Sequence, residues 1–85
     1  MADKKAVGKI THFFGKISVA AIELTDTLRV GDRISIEGAH TSFEMQVDSM
    51  QINNQSVAEA KAGDGIGIKV KEHARVGDAV YIVTQ

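Results

Sequence analysis

Leu28-Arg-Val-Gly-Asp-Arg-Ile-Ser-Ile-Glu-Gly38 decides the fold class of this chain, because its centre, a small apolar residue followed by Gly-Asp-x-Ile/Val, occurs three times. The copies are Val30-Gly31-Asp32-Arg33-Ile34, Ala62-Gly63-Asp64-Gly65-Ile66 and Val76-Gly77-Asp78-Ala79-Val80. Each reads as a tight turn feeding a strand: glycine takes a positive φ without a Cβ clash, and aspartate can bond the backbone two residues on. The β-branched residue then starts the strand. Three such entrances in 85 residues predict an all-β domain.

Working outward, Val7–Phe14 is expected as a first strand, with Gly8, Ile10, His12 and Phe14 on one face and Lys9, Thr11 and Phe13 on the other. Gly15 marks a hairpin turn. Ile17–Leu24 follows with a parity shift that predicts a β-bulge near Ala20–Ile22 or burial on both faces. Arg33–Glu37 alternates cleanly around Ile34 and Ile36. Ser42–Ile52 reads as the longest strand, bulged near Asp48-Ser49, and Asn53-Asn54 as a two-residue hairpin turn leading to a short pairing at Gln55–Val57. Residues 57–62 have helical propensity over too short a span, giving an irregular turn or one helical turn before Gly63. Ile66–Val70 and Val80–Val83 complete six main strands. With no amphipathic helix to cover a sheet face, the expected architecture is a six-stranded closed barrel, which removes exposed edges. Residues 1–5 are expected as a flexible tail and residues 6–85 as the single β-barrel domain.

Composition narrows the chemistry. The formal charge is −1, so binding nucleic acid through a broadly basic face is disfavoured, although Lys4, Lys5, Lys9 and Lys16 cluster early in the chain. The absence of cysteine removes disulfides, thiolate metal sites and a thiol nucleophile. Met1-Ala-Asp-Lys-Lys5 precedes no apolar stretch, and no apolar run approaches the roughly 20 residues that span a bilayer. A cytoplasmic protein without membrane contact is the expectation.

Gly63-Asp64-Gly65-Ile66-Gly67 resembles a phosphate loop only superficially. Such a site needs a helix N-terminus behind it, and Ile66–Val70 alternates as a strand. His12, His40 and His73 lack metal-ligand spacing, and Asp26, Asp32, Asp48, Asp64 and Asp78 mostly fall at turns. No cofactor, metal or catalytic residue is expected. The segment that the barrel architecture explains least is Lys9-Ile-Thr-His-Phe-Phe-Gly-Lys16, where two lysines surround His12 and adjacent aromatics. Neighbouring strand residues point to opposite faces, so one of Phe13 and Phe14 can enter a single core. The other is a platform for a base or a protein partner, or else covers a second apolar cluster. Met45 and Met50 read as core filler.

Leu28-x-Val-Gly-Asp-x-Ile34, Val47-x-Ser-Met-Gln-Ile52 and Glu59-Ala-x-Ala-Gly-Asp-x-Ile-Gly-Ile68 resemble the second domain of translational GTPases such as elongation factor Tu. The resemblance implies a Greek-key β-barrel of this size. Gly8-Lys-x-Thr-His-Phe-Phe14, Lys16-Ile-Ser-Val-Ala20, Ser49-Met-Gln-Ile52 and Ile66-Gly-Ile-Lys-Val70 are more similar still to the C-terminal barrel of collagenase-like peptidases, some of which act in tRNA uridine hydroxylation. In both families the catalytic or nucleotide-binding residues lie in other domains, and no Walker motif occurs here, so neither enzymatic activity nor nucleotide binding follows from the likeness. An acidic side chain that packs on the tRNA terminal base in the GTPases falls near Gln51, which retains the ability to stack or hydrogen-bond. The resemblance, together with the aromatic pair and nearby lysines of the first hairpin, leads to the expectation of a non-catalytic binding module that contacts tRNA, the ribosome or an RNA-modifying partner, with Lys9, His12, Phe13, Phe14 and Lys16 as candidates from the hairpin and Gln51 from the likeness. The alternative is a protein-interaction accessory that completes a larger enzyme in trans. Oligomeric state is left open.

Overall fold

The three Gly-Asp turns are built alike. In the computed structural model, which describes residues 3–84, Gly31, Gly63 and Gly77 have φ of 99°, 91° and 94°. The amides of Asp32, Asp64 and Asp78 donate to the carbonyls of Arg29, Lys61 and Arg75 at 3.0–3.1 Å, closing type II turns whose third position requires positive φ. Each aspartate carboxylate accepts the amide three residues behind it, Arg29 N, Lys61 N and Arg75 N, all at 2.9 Å. The side chain therefore bonds backwards across its own turn, whereas the sequence pattern suggested a bond two residues ahead.

Each turn also grips a buried residue of another segment. Gly31 N donates to Val47 O while Val47 N donates to Asp32 O; Gly63 and Asp64 hold Leu24 in the same way, and Gly77 and Asp78 hold Ile10. Val47, Leu24 and Ile10 are all nearly solvent-free. Three local turns thus become three long-range clamps around one core, which answers where the backbone groups of these loops find partners.

The described chain forms ten strands: β1 Asp3–Phe14, β2 Val19–Leu24, β3 Leu28–Arg29, β4 Arg33–Glu37, β5 Ser42–Gln46, β6 Met50–Ile52, β7 Gln55–Val57, β8 Glu59–Ala60, β9 Gly65–Lys69 and β10 Ala79–Thr84. Eight lie in one antiparallel sheet, ordered β5-β4-β10-β1-β2-β9-β6-β7, and β3 pairs with β8 in a separate ribbon. The fold is all-β as expected. The six-stranded closed barrel is not: β5 and β7 end an open ladder, beyond which Val47 bonds the Gly31-Asp32 turn and Val30 N donates to Ala58 O in the bend between β7 and β8.

The main departures have local causes. Ser42–Ile52 is two strands rather than one bulged strand, because at Val47–Ser49 the chain leaves β4 and crosses to pair with β9. Residues 3–5, expected in a tail, pair with residues 82–84, and Lys4–Glu37 and Lys5–Asp26 ion pairs tie them down. Residues 1, 2 and 85 lie outside the described range. Ile17 belongs to the turn, not to β2, and residues 57–62 contain the end of β7, a bend and β8 without a helical turn. Asn53 and Asn54 take φ of 51° and 65°, the left-handed hairpin turn that their side chains tolerate.

The core is aliphatic: Val7, Ile10, Ile22, Leu24, Leu28, Ile34, Ile36, Met50, Ile66, Ile68 and Val80 are buried, with Met45 packed against them. At about 1.5–3 kcal/mol per fully buried side chain of this kind, this cluster is the main stabilising term. No described helix is long and apolar enough to cross a membrane.

Candidate functional site

Two extra residues in β1 determine what this strand shows to solvent. The register against β10 shifts between Ala6 and Gly8, and against β2 between Ile10 and His12, leaving Val7 and Thr11 as the inserted positions. Bulge insertion reverses the alternation beyond it. Ile10 therefore faces the core with Ile22 and Ile66, whereas Phe13 joins the inner row Ala20, Ile68, Met50 and Val57. Strict alternation would have sent Ile10, His12 and Phe14 to one face. The bulge expected near Ala20–Ile22 is absent: β2 alternates regularly, with Ala20, Ile22 and Leu24 inward, because Ile17 lies in the turn and does not set the strand's parity, and the inserted residue is Thr11 in β1.

Beyond Thr11, His12 and Phe14 point outward, and their rings meet with centroids 4.5 Å apart. Phe14 is 46% exposed. Phe13 is half-buried, packs against the core and meets His73 edge-on at 4.5 Å. The adjacent aromatics thus separate into one structural and one surface residue.

Register places the outer face row by row. Lys9, Glu23 and Gly65 form one row; His12, Ala21, Gly67 and Gln51 the next; Phe14, Val19 and Lys69 the third. The middle row carries almost no side chain at Ala21 and Gly67, which opens a groove of about 650 Å³. Phe14 and Ile17 wall one end, Gln51, Asn53 and Asn54 the other, and Gly65 and Gly67 form the floor. Ile17 is 60% exposed.

The sequence candidates divide accordingly. Phe14 and Gln51, 37 residues apart in sequence, line the same groove, and His12 stands beside Phe14. Lys9 flanks it in the Glu23 row, Lys16 is exposed in the turn after Phe14, and Phe13 faces the other way. Sequence reasoning missed Ile17, Ala21, Glu23 and Gly65. Gly67, alone in the middle of an alternating strand, was a usable signal, because an interior strand glycine often marks a close approach. Gly65–Lys69 is strand β9, so no helix N-terminus stands behind the Gly63–Gly67 stretch. Among the described residues no group of three His, Cys, Asp or Glu side chains is placed to hold a metal ion.

A second depression, about 480 Å³, lies over β4 and β5 and is lined by Lys4, Arg33, Ser35, Phe43, Glu44 and Lys71 among others. Its charges are largely neutralised locally: Lys4 pairs with Glu37 and Arg33 with Glu44. The Lys4 ammonium and the Ser35 hydroxyl hold the Glu37 carboxyl below the usual carboxylate range. The Lys5 ammonium, with the amide of Thr27, does the same to Asp26.

No protein-family model matches the chain. It is 42% identical over 83 residues to an uncharacterized protease of Methanocaldococcus jannaschii, covering 96% of this chain and 20% of that protein. It is 36% identical over 80 residues to a collagenase of Porphyromonas gingivalis, covering 92% of this chain and 22% of that protein. The chain therefore spans about a fifth of the length of these relatives. A 57-residue match, 40% identical, links it to elongation factor 1-alpha of Methanothrix thermoacetophila, over 67% of this chain and 13% of that protein. The fold superposes on the C-terminal domain of a Geobacillus thermoleovorans protein assigned to the U32 peptidases, with TM-score 0.86 and 14% identity over 92% of this chain and 91% of that domain. The similarity is thus to one domain of peptidase- and collagenase-named proteins, and the elongation-factor likeness rests on the shorter match.

Proposed function

We propose that this chain is a non-catalytic β-domain that completes a larger peptidase-like protein by docking against its main body. The observation that carries the reading is the extent of the alignment, nearly all of this chain on a fifth of the archaeal relative. The chemistry of the acidic residues supports it: the Asp32, Asp64 and Asp78 carboxylates are occupied by backbone amides, an arrangement that serves turn geometry rather than proton transfer. The test is to express the main body of such a relative without its β-domain and to ask whether the 85-residue chain co-purifies with it. A stoichiometric complex that survives nuclease is the expected result. Failure to associate in cis or in trans overturns the reading.

One observation favours a second reading, contact with tRNA or the ribosome: an exposed aromatic and Gln51 line one groove, with Lys9 and Lys16 nearby. Under this reading the fold works as an elongation-factor-type Greek-key module, stacking a base on Phe14. Affinity for tRNA at low salt, weakened by Lys9→Glu and Phe14→Ala, is the result expected. Binding unaffected by either substitution removes this reading.

A further inference from the structure

The floor of the outer-face groove is bare for no reason internal to the fold. A Cβ added at Gly65 would meet nothing within 4 Å, and one at Gly67 would make only an ordinary contact, 3.4 Å from a Val19 methyl. Neither residue has the positive φ found at Gly31, Gly63 and Gly77. Glycine inside a strand costs roughly 0.5–1 kcal/mol relative to alanine and often marks a place where another chain comes close, which applies to Gly67 in the middle of β9, with Gly65 at the start of the same strand extending the bare floor. The rim points the same way, since the fold leaves Phe14 and Ile17 exposed at one end of the trough.

We infer that this groove receives an extended, neutral-to-cationic peptide segment of a partner protein, with an apolar side chain on the Ala21–Gly67 floor and a Lys or Arg beside Glu23. The inference deepens the accessory-domain reading and rests on it. Charge selects the occupant: Glu23 is the one charged residue in the lining, and among the described residues it makes none of the four ion pairs. Lys9, directly across from Glu23, and Lys69 share this face, but neither lines the trough nor comes within ion-pair distance of Glu23. A phosphate backbone laid in the trough would face a carboxylate, whereas a basic side chain would find it unpaired. Size agrees: the row from His12 to Gln51 crosses four strands, or three spacings of about 4.8 Å. That distance, roughly 14 Å, is the reach of about four extended residues. The amides of Gln51, Asn53 and Asn54 stand where they can bond the main chain of such a segment.

The test is to pan a display library of random peptides on the whole chain and on its Gly65→Leu and Glu23→Gln variants, with an oligouridylate as the nucleic-acid probe. Gly65→Leu fills the trough at a position with free space around it, so the fold is retained. Wild type should enrich peptides that place Lys or Arg next to Leu, Ile or Phe, and Gly65→Leu should reduce their capture about tenfold, equivalent to 1.4 kcal/mol. Glu23→Gln should lower the basic preference about two- to fivefold, the range of an exposed ion pair. Enrichment of acidic peptides, no difference between wild type and Gly65→Leu, or oligouridylate binding abolished by Gly65→Leu each overturns the proposal. The same variant in the co-purification assay separates the two readings. Capture of Gly65→Leu equal to wild type rejects the groove and keeps the accessory domain, whereas no capture of wild type rejects the accessory domain.

Discussion

The carboxylate of Asp78 fills the space that a side chain at residue 38 would need: a Cβ built on Gly38 overlaps Asp78 Oδ1. Asp78 is buried and also accepts the Arg75 amide, so it cannot swing aside without losing that bond. Gly38→Ala should therefore destabilise the domain by about 1–3 kcal/mol, through overpacking and the lost hydrogen bond. Urea unfolding measures the cost. In an Asp78→Ala background the same change should cost much less, a coupling that a double-mutant cycle reads directly.

Four other glycines, Gly31, Gly63, Gly77 and Gly65, fall into two classes with opposite mutational signs. Ala at Gly31, Gly63 or Gly77 meets no atom within 4 Å, so its cost is pure backbone strain at φ near 95°, about 1–3 kcal/mol. Ala at Gly65 should be neutral or stabilise by up to about 1 kcal/mol, because the strand conformation suits any residue. Thermal midpoints of the four variants check the contrast. Equal losses at all four positions would refute it.

This contrast shows what was legible in the sequence. The Gly-Asp turns could be read because their requirement is local: positive φ and a short acceptor lie within four residues. Asn53-Asn54 was legible for the same reason. Thr11 was not, since a bulge exists only relative to the register of its partner strand, and nothing within β1 marks the inserted residue. At Val47–Ser49 the parity change marked the break, read as a bulge, but the change of partner from β4 to β9 was hidden, because alternation looks the same whichever neighbour a strand pairs with. The groove depended on both. Its walls, Phe14 and Gln51, were nameable separately, but only the outward turn of Phe14 and the pairing of Gln51 with Gly67 bring them to one face.

Acid should weaken the docking of the N-terminal half of β1. Glu37 is held below its ordinary value of 4.5 chiefly by the Lys4 hydrogen bond, and Asp26 below 3.8 chiefly by that of Lys5. A carboxyl with a depressed folded pKa contributes stability that is full above the unfolded value and is lost as pH falls through the folded one. The loss therefore begins near pH 4.5 for Glu37 and near 3.8 for Asp26 and continues below. Both groups reach solvent, so the effect is small and shrinks with salt. Lys4→Met should flatten the Glu37 part of this acid arm in urea midpoints measured from pH 5 downward. An unchanged slope would show that the ion pair is not formed in solution.

Phe13 and Phe14 provide the cleanest separation of fold from function. Phe13 packs against the core and His73, so Phe13→Ala removes apolar contacts on the inner row and should cost about 2–4 kcal/mol, toward the lower part of the range for aromatic truncation because the ring is only half-buried. Phe14 touches His12 and solvent, and Phe14→Ala should change stability by about 0.5 kcal/mol or less. If the groove is the working surface, partner capture should follow the opposite order. Phe14→Ala should impair binding in a fully folded protein, while Phe13→Ala should retain binding at temperatures where it remains folded. Circular dichroism melts paired with the capture assay decide this. A Phe14 variant that binds normally would move the working surface away from the Thr11 bulge altogether.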